Sequence, residues 1–223
     1  MAAKQRCAEP GVSAPAPPIA NPLLLELPQE LVGPRVIARA YRDGDAEAVA
    51  EAVAESRERL AAAGMPWVKE WDDPQQGPIY VRRCQAKWAA RDDLAFGLWE
   101  RATGTYLGGS GLHRIDWSVP NVEIGYWIRN RSEGRGFVTE AAALLAAFAF
   151  DALHAQRVRI RCDAANARSA AVPRRLGFAH EATLRNETRR ADGVLRDTLE
   201  FGLTPDDFRT LRADAWRAFL APG

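Results

Sequence analysis

The segment from residue 122 to residue 150 constrains the fold most strongly, because a strand pattern, a glycine loop and a helix pattern follow one another in it without interruption. Residues 122–128 are rich in β-branched and aromatic side chains, which is typical of a β-strand. Gly134 and Gly136 come next, and glycine lets the backbone turn tightly and approach a ligand closely. Residues 137–150 are rich in alanine and leucine and predict a helix. The segment therefore predicts a strand, a tight loop and a helix that begins at the loop.

The loop of this unit is a candidate anion site. The first backbone N–H groups of a helix have no acceptor within the helix, and the helix dipole favours negative charge at that end. Together these properties suit a phosphate or a pyrophosphate. A tight connection without a ligand is the alternative reading. Two common nucleotide loops are absent, because the chain has no Gly-x-x-x-x-Gly-Lys-Ser/Thr motif and Thr139 stands where Gly-x-Gly-x-x-Gly requires its third glycine.

The composition indicates a globular protein and excludes several classes of function. The 223 residues suffice for one or two domains, and the net charge of +1 gives no reason to expect a nucleic acid or a membrane as partner. Cys7, Cys84 and Cys162 are widely spaced and lack neighbouring histidines, so we expect reduced thiols, buried for Cys84 and Cys162, and no metal site. The sequence has no apolar signal segment and no apolar run long enough to span a bilayer. We therefore expect a cytoplasmic protein.

The remaining segments predict one α+β domain with helices and strands mixed along the chain. Residues 1–30 are rich in alanine and proline and predict a flexible arm, and residues 31–223 form the domain. The predicted strands are 36–40, 93–100, 105–112, 122–128, 157–162, 178–189 and 194–203. The predicted helices are 46–62, 79–91, 137–153, 167–176 and about 205–220, with a loop over 64–78.

Motifs at several places along the chain carry a resemblance to a known family. Arg131, Gly134 and Gly136 fit the loop pattern Gln/Arg-x-x-Gly-x-Gly/Ala, residues 123–127 read Glu-Ile-Gly-Tyr-Trp, and residues 139–141 read Thr-Glu-Ala. An Asn-x-x-Ser-x-x-Val-x-x-Lys/Arg-Leu-Gly-Phe pattern and a late Gly-x-x-x-Asp pair complete the set, as Asn166, Ser169, Val172, Arg175, Leu176, Gly177, Phe178, Gly193 and Asp197. Over about residues 33–204 the chain resembles the GNAT family of acyl-CoA-dependent N-acetyltransferases, in its RimJ/RimL-like branch.

The sequence departs from the family pattern at two points. Pro173 lies inside the predicted helix 167–176, where it removes a backbone hydrogen bond, and we expect it to kink or shorten the helix. Ser132 and Glu133 replace an aromatic residue that often precedes the loop in this branch. A carboxylate is unfavourable beside a phosphate, so we expect Glu133 to point away from the loop.

The resemblance implies a GNAT fold, with a twisted, mostly antiparallel mixed sheet, helices on both faces and two splayed parallel strands at its centre. Acetyl-CoA, a co-substrate used without a metal, would lie between the splayed strands 122–129 and 157–162. The backbone amides of residues 135–138 would bind its pyrophosphate, with Arg131 beside them unless that side chain is simply solvated. The full set of implied acetyl-CoA contacts is Trp127, Ile128, Arg129, Arg131, Gly134, Arg135, Gly136, Phe137, Val138, Thr139, Asn166 and Ser169.

The implied reaction is a direct attack of a primary amine on the thioester, which requires a base, a donor to the carbonyl oxygen and a proton for the thiolate. Glu123 is the first candidate base, and an ion-paired strand residue is its alternative reading. A backbone N–H near Trp127 or Ile128 would serve the carbonyl oxygen. Ser169 would protonate the thiolate, unless it is only a first-turn helix serine. Asn166 would bind the pantetheine arm, cap its own helix, or do both.

The acceptor side is defined less sharply by the sequence. We expect Trp67, Trp71 and His113 to bind the acceptor, with His113 as second candidate base, and Trp88 and Trp99 to pack in the core. The resemblance allows a protein N-terminal amine, a metabolite or an antibiotic as acceptor, and it allows a homodimer. The alternatives to an enzyme are a non-catalytic acyl-CoA sensor and a nucleotide-phosphate binder that shares only the loop.

A row of arginines alternates with apolar residues at the predicted strand 157–162. Arg157, Arg159 and Arg161 share one face, Arg189 ends the next predicted strand, and Arg190 follows it. We expect a solvated or ion-paired face, with one contact to the adenosine 3′-phosphate as an open alternative. Nucleic-acid binding is not expected, because exposed aromatic residues are not interleaved with these arginines.

Overall fold

A computed structural model of the chain describes residues 19–189, 193–214, 216 and 219. Its strands are β1 (Glu30–Val32), β2 (Val36–Ala40), β3 (Leu94–Glu100), β4 (Tyr106–Asp116), β5 (Asn121–Ile128), β6 (Arg157–Asp163), β7 (Ala179–Arg189) and β8 (Leu195–Leu203). Its helices are α1 (Ala46–Ala62), α2 (Gln76–Ala90), α3 (Phe137–Asp151), α4 (Ala167–Arg175) and α5 (Pro205–Asp214).

The eight strands form one sheet in the order β1-β2-β3-β4-β5-β6-β8-β7. Among the described pairings, β5 with β6 is the parallel one, and the others are antiparallel. The connection from β5 to β6 contains α3, as a parallel pair requires a long crossover. The predicted mixed sheet of a GNAT fold is confirmed.

The core lies on both faces of this sheet because strand side chains alternate in direction. In β3, Leu94, Phe96 and Leu98 pack into the larger apolar cluster, which contains nearly the whole surface of α3. Ala95, between them, packs into a second cluster formed with α1 and α2. The apolar run of α3 is therefore explained by burial on all sides, and α1 and α2 cover the opposite face.

Several predicted boundaries require correction. The strand β1 was not predicted, and the predicted loop 64–78 contains a 3-10 helix, Pro66–Asp72, followed by the start of α2 at Gln76. The last helix is described over Pro205–Asp214, and most of its predicted continuation to about residue 220 lies outside the described residues. Of the predicted N-terminal arm, residues 1–18 lie outside the described part; the remainder contains a short 3-10 helix, Pro22–Leu24.

No helix in the described ranges is long and apolar enough to cross a membrane.

Candidate active site

A cavity of about 660 Å³ opens where β5 and β6 separate. These strands pair only through residues 121–123 and 157–159, so the rest of β5 has no partner on that side within the described residues. The cavity extends from α4 to the 3-10 helix Pro66–Asp72 on the opposite side of the sheet. Six residues selected from the sequence line it: Trp67, Trp71, His113, Trp127, Asn166 and Ser169.

The glycine loop presents a row of free backbone amides. Gly134 and Gly136 have φ angles of 72° and 81°, which other residues adopt only with strain, and α3 begins directly after them. Within the described part of the chain, the N–H groups from Gly134 to Thr139 donate no hydrogen bond, whereas Glu140 N–H donates to the Gly136 carbonyl at 3.2 Å. Apart from the neighbours of Gly134 in the chain, no described residue has a heavy atom within 4 Å of its Cβ position. The loop therefore offers unobstructed donors at the positive end of α3.

The first turn of α3 is fixed to β2 by a buried carboxylate. Glu140 is 1% exposed and accepts hydrogen bonds from the backbone N–H groups of Arg35 and Val36, at 2.7 and 2.9 Å. The Arg35 side chain binds the other oxygen of Glu140 through Nε at 2.9 Å and donates to the Arg135 carbonyl. Arg35 thus places a cation beside the loop, a contact between segments about a hundred residues apart that sequence reasoning missed.

The arginines before the loop are engaged with α1. Arg129 is 1% exposed and binds Glu55 and Glu51 at 2.9 and 2.8 Å. Arg131 binds Glu51 at 3.1 Å, and its backbone N–H donates to Glu55 at 2.9 Å. The hydrogen bond from Arg129 lowers the pKa of Glu51, so that this carboxylate stays ionised. Both guanidinium groups therefore hold the loop against α1 in this structure.

Glu133 is also ion-paired. It binds Arg59 at 2.9 Å and Arg168 at 2.7 Å, which connects the loop to α1 and α4. These two pairs satisfy the carboxylate that was expected to turn away from the phosphate loop.

The backbone of β5 directs alternate amides into the cleft. Arg129 N–H donates to the Leu107 carbonyl on the β4 side at 2.8 Å. Because backbone donors alternate between the two edges of a strand, the N–H of Trp127 faces β4, and those of Tyr126 and Ile128 face the opening toward β6. An acyl oxygen in the cleft would therefore meet the amides of Tyr126 and Ile128.

Pro173 explains how the hydroxyl of Tyr126 is held. The helix α4 continues past Pro173 to Arg175, so the predicted shortening is wrong. Proline has no N–H, which leaves the Ser169 carbonyl without its helical donor. The Tyr126 hydroxyl donates to this carbonyl at 2.9 Å, and the Ser169 hydroxyl lies 3.4 Å from the Tyr126 oxygen. Asn166 caps the same helix by accepting from Ser169 N–H at 3.0 Å.

Glu123 lies beside the cleft in a cluster of arginines and does not line the cavity. Its carboxylate is 14% exposed and binds Arg114 at 3.0 Å and Arg159 at 3.2 Å. Arg157 and Arg161 are paired with glutamates of β7 and β8, so the expected ion-paired face is confirmed for residues 157, 159 and 161. Arg190 lies outside the described residues.

His113 lines the cavity from β4 and is joined to a carboxylate. Its Nδ1 lies 2.9 and 3.0 Å from the two oxygens of Asp93. Asp93, just before β3, also lines the cavity and was not selected from the sequence.

Aromatic side chains form the wall opposite the splayed strands. Trp67 contacts Trp127, and Trp71 contacts Tyr80, with ring centroids 5.7 Å apart in each pair. The buried indole N–H of Trp71 finds no acceptor among the described residues. Trp88 is a core residue, as expected.

The two described cysteines differ from each other. Cys84 is buried, and burial raises the pKa of its thiol to about 11. Both cysteines line the cavity, but Cys162 is only half-buried, so the expectation of a buried thiol is wrong for this residue. Burial raises the pKa of the Cys162 thiol as well. The described residues contain no cluster of side chains that could hold a metal ion.

Comparisons with known proteins identify the family. Residues 35–179, more than half of the chain, match the family described as "Acetyltransferase (GNAT) domain". The chain is 31% identical over 159 residues to "Putative ribosomal N-acetyltransferase YdaF" of Bacillus subtilis (strain 168), which covers 70% of this chain and 84% of that protein.

Two solved structures share the fold. RimL, the ribosomal L7/L12 alpha-N-protein acetyltransferase, in complex with coenzyme A has a TM-score of 0.72 at 17% identity, covering 78% of this chain and 96% of that one. The microcin C7 self-immunity acetyltransferase MccE, in complex with acetyl-CoA and AMP, has a TM-score of 0.71 at 19% identity, covering 76% and 92%. The family match and the fold agree with the motifs of the loop and α4, and the chain belongs to the GNAT family of acetyltransferases.

Proposed function

We propose that this protein transfers the acetyl group of acetyl-CoA to a primary amine, and that the acceptor is the N-terminal amine of a protein. The observation that carries the donor is the row of unpaired amides from Gly134 to Thr139 at the start of α3. Such donors at a helix N-terminus suit the diphosphate of acetyl-CoA. The names of the similar proteins YdaF and RimL support the class of acceptor.

The residues around the splayed strands have distinct roles in this proposal. The diphosphate binds the amides of residues 135–139, and the thioester lies between β5 and β6. The amide of Ile128 donates to the acyl oxygen as negative charge develops on it. The side-chain N–H₂ of Asn166, whose oxygen is used for capping, donates to the pantetheine arm. Ser169, hydrogen-bonded to Tyr126, supplies the proton to the departing thiolate.

The acceptor enters from the aromatic side of the cavity. Trp67 and Trp71 border this entrance with Trp127 at its inner end. An extended peptide segment can place its terminal amine between these rings, where a cationic group is attracted to their faces. A small aromatic amine would fit the same wall, so the experiment includes both kinds of acceptor.

The test is thiol release from acetyl-CoA with a panel of amines. We expect turnover with a short peptide bearing a free N-terminus and none with the same peptide blocked at that amine but carrying an internal lysine. Turnover with small-molecule amines alone would contradict the protein acceptor. Tight binding of acetyl-CoA in calorimetry without thiol release for any amine would instead indicate a sensor. Binding of ATP but not of coenzyme A would overturn the assignment of the donor.

A further inference from the structure

We propose that His113, oriented by Asp93, is the catalytic base that removes the proton from the acceptor amine. This inference deepens the proposed function and rests on it. Primary amines are mostly protonated at neutral pH, and only the free lone pair attacks a thioester. A proton acceptor on the amine side of the cleft is therefore needed.

The contacts of the imidazole leave the correct nitrogen free. Nδ1 of His113 faces both oxygens of Asp93, at 2.9 and 3.0 Å, so the carboxylate accepts the Nδ1–H proton. The neutral ring then carries its lone pair on Nε2. Asp93 also stabilises the positive charge that the ring acquires when Nε2 takes up a proton. The pair has the arrangement in which a carboxylate fixes the tautomer and orientation of a basic histidine.

Two glycines leave room for Nε2 to lie over the part of β5 that no longer pairs with β6. Gly111 and Gly125 are direct partners in the β4–β5 register. A Cβ atom at Gly111 would lie 3.0 Å from Nε2, and one at Gly125 would lie 3.2 Å from Nε2 and 2.9 Å from Cδ2. The ring therefore lies against bare backbone of both strands. Because β5 leaves β6 after Glu123, the position over Gly125 is at the opening that the thioester would occupy.

Glu123 is less suited to the same role. It is the register partner of His113 on β5, but its carboxylate is bound by Arg114 and Arg159 and does not line the cavity. Taking up a proton would discharge a carboxylate that both arginines stabilise. His113 lines the cavity, and its Nε2 has no such partner among the described residues.

The reaction balances in three steps. The ammonium group of the acceptor gives a proton to Nε2 of His113, and its lone pair attacks the acyl carbon to form the C–N bond. The C–S bond then breaks, and the thiolate takes a proton from the Ser169 hydroxyl, which regains one from the attacking nitrogen. The imidazolium releases its proton to solvent.

Kinetics with two amines test the role of His113. We expect His113→Gln to lower kcat/KM at neutral pH by about tenfold for a peptide amine, because only about a tenth of an N-terminal amine is unprotonated at pH 7. The loss should be much smaller for 2,2,2-trifluoroethylamine, which is unprotonated at neutral pH. Affinity for acetyl-CoA should not change. Asp93→Asn should lower kcat/KM and alter its pH profile, and His180→Gln, an exposed residue on β7, is the matched control.

Other charged and titratable groups near His113 also influence how kcat/KM depends on pH. These are Asp93 before β3, Cys84 and Lys87 on α2, Arg114 on β4, Glu123 on β5 and Arg161 on β6. A His113→Gln variant with an unchanged rate, or with an equal loss for both amines, overturns the proposal.

A second measurement does not require turnover. The chain contains three histidines, so nitrogen-15 NMR of the imidazoles can be assigned with His154 and His180 variants. A neutral His113 protonated on Nδ1 supports the proposal, and one protonated on Nε2 overturns it. Absence of turnover with every amine would instead refute the proposed function, so the two failures are distinguishable.

Discussion

Replacing Gly134 by alanine separates the role of the loop as a ligand site from its role as a turn. Gly134 and Gly104, in the turn between β3 and β4, have φ angles of 72° and 68°. Chain neighbours apart, neither glycine has a heavy atom of the described residues within 4 Å of its Cβ position. The left-handed conformation costs a non-glycine residue about 1–2 kcal/mol. We therefore expect Gly134→Ala and Gly104→Ala to lower the free energy of unfolding by similar amounts.

Only Gly134→Ala should weaken the binding of acetyl-CoA. A methyl group at residue 134 would project into open space at the loop that is proposed to bind the diphosphate, and we expect the loss of at least one hydrogen bond to it. A hydrogen bond to a charged group contributes about 1.5–3 kcal/mol. At 1.4 kcal/mol per factor of ten, this loss raises Kd by about tenfold to a hundredfold.

The assay is isothermal titration of both variants with acetyl-CoA, combined with urea unfolding of each. If both variants lose stability equally and both keep the wild-type Kd, the amides of the loop do not hold the diphosphate. If both lose affinity equally, the effect is a general one on the fold, and the assignment of the loop is likewise refuted.

Three further predictions follow from contacts outside the loop. In a double-mutant cycle, Tyr126→Phe should lower the free energy of unfolding by about 1 kcal/mol less in a Pro173→Ala background than in the wild type, because the restored N–H of residue 173 then donates to the Ser169 carbonyl. Equal losses in the two backgrounds would show that the Tyr126 hydroxyl does not replace that donor. Thermal unfolding should show that Arg129→Met destabilises the protein by about 2 kcal/mol, because its buried guanidinium binds Glu51 and Glu55. Arg131 binds the same two carboxylates but its side chain is 57% exposed, so Arg131→Met should cost less than about 1 kcal/mol. Burial raises the pKa of all four tyrosines, so the folded protein keeps them protonated above pH 10. The unfolded chain loses these protons near pH 10, so the free energy of unfolding should fall as the pH rises past 10. The absorbance of tyrosinate should therefore appear only when the protein unfolds.

The elements that the sequence predicted well have local causes. The helix α3 follows from an apolar run, and its start follows from Gly136. The strand β6 follows from strict alternation, and Asn166 caps α4 as its side chain and position indicate. Each of these depends on residues within one turn or one strand, which is the range that a sequence pattern covers.

The partners of charged residues were not predictable in the same way. Arg131 stays a candidate for the diphosphate, but its ion pairs with α1 were not predicted, and neither was the position of Arg35 beside the loop. Both contacts join segments roughly eighty or more residues apart, so the packing of the whole domain decides them.

The pairing of Asp93 with His113 is an intermediate case. A hairpin that turns symmetrically about Thr103, between the predicted strands 93–100 and 105–112, pairs Leu94 with Leu112, and the structure has this pair. Extending this register by one residue places Asp93 opposite His113. The available signal was therefore the register of the hairpin, whereas spacing along the chain gave none.

The glycines of β4 and β5 show why this sheet accepts weak strand formers at its centre. A Cβ atom at Gly109 would lie 2.6 Å from Trp127 Nε1, and one at Gly111 would lie 2.7 Å from His113 Cε1. Glycine inside a strand lowers its stability, and it commonly marks a close approach by another group. Here the approaching groups are the two side chains that border the cavity over β5. The glycines thus lower the stability of two central strands but leave space above their backbone. The indole of Trp127 and the imidazole of His113 lie in that space, at the point where β5 and β6 separate.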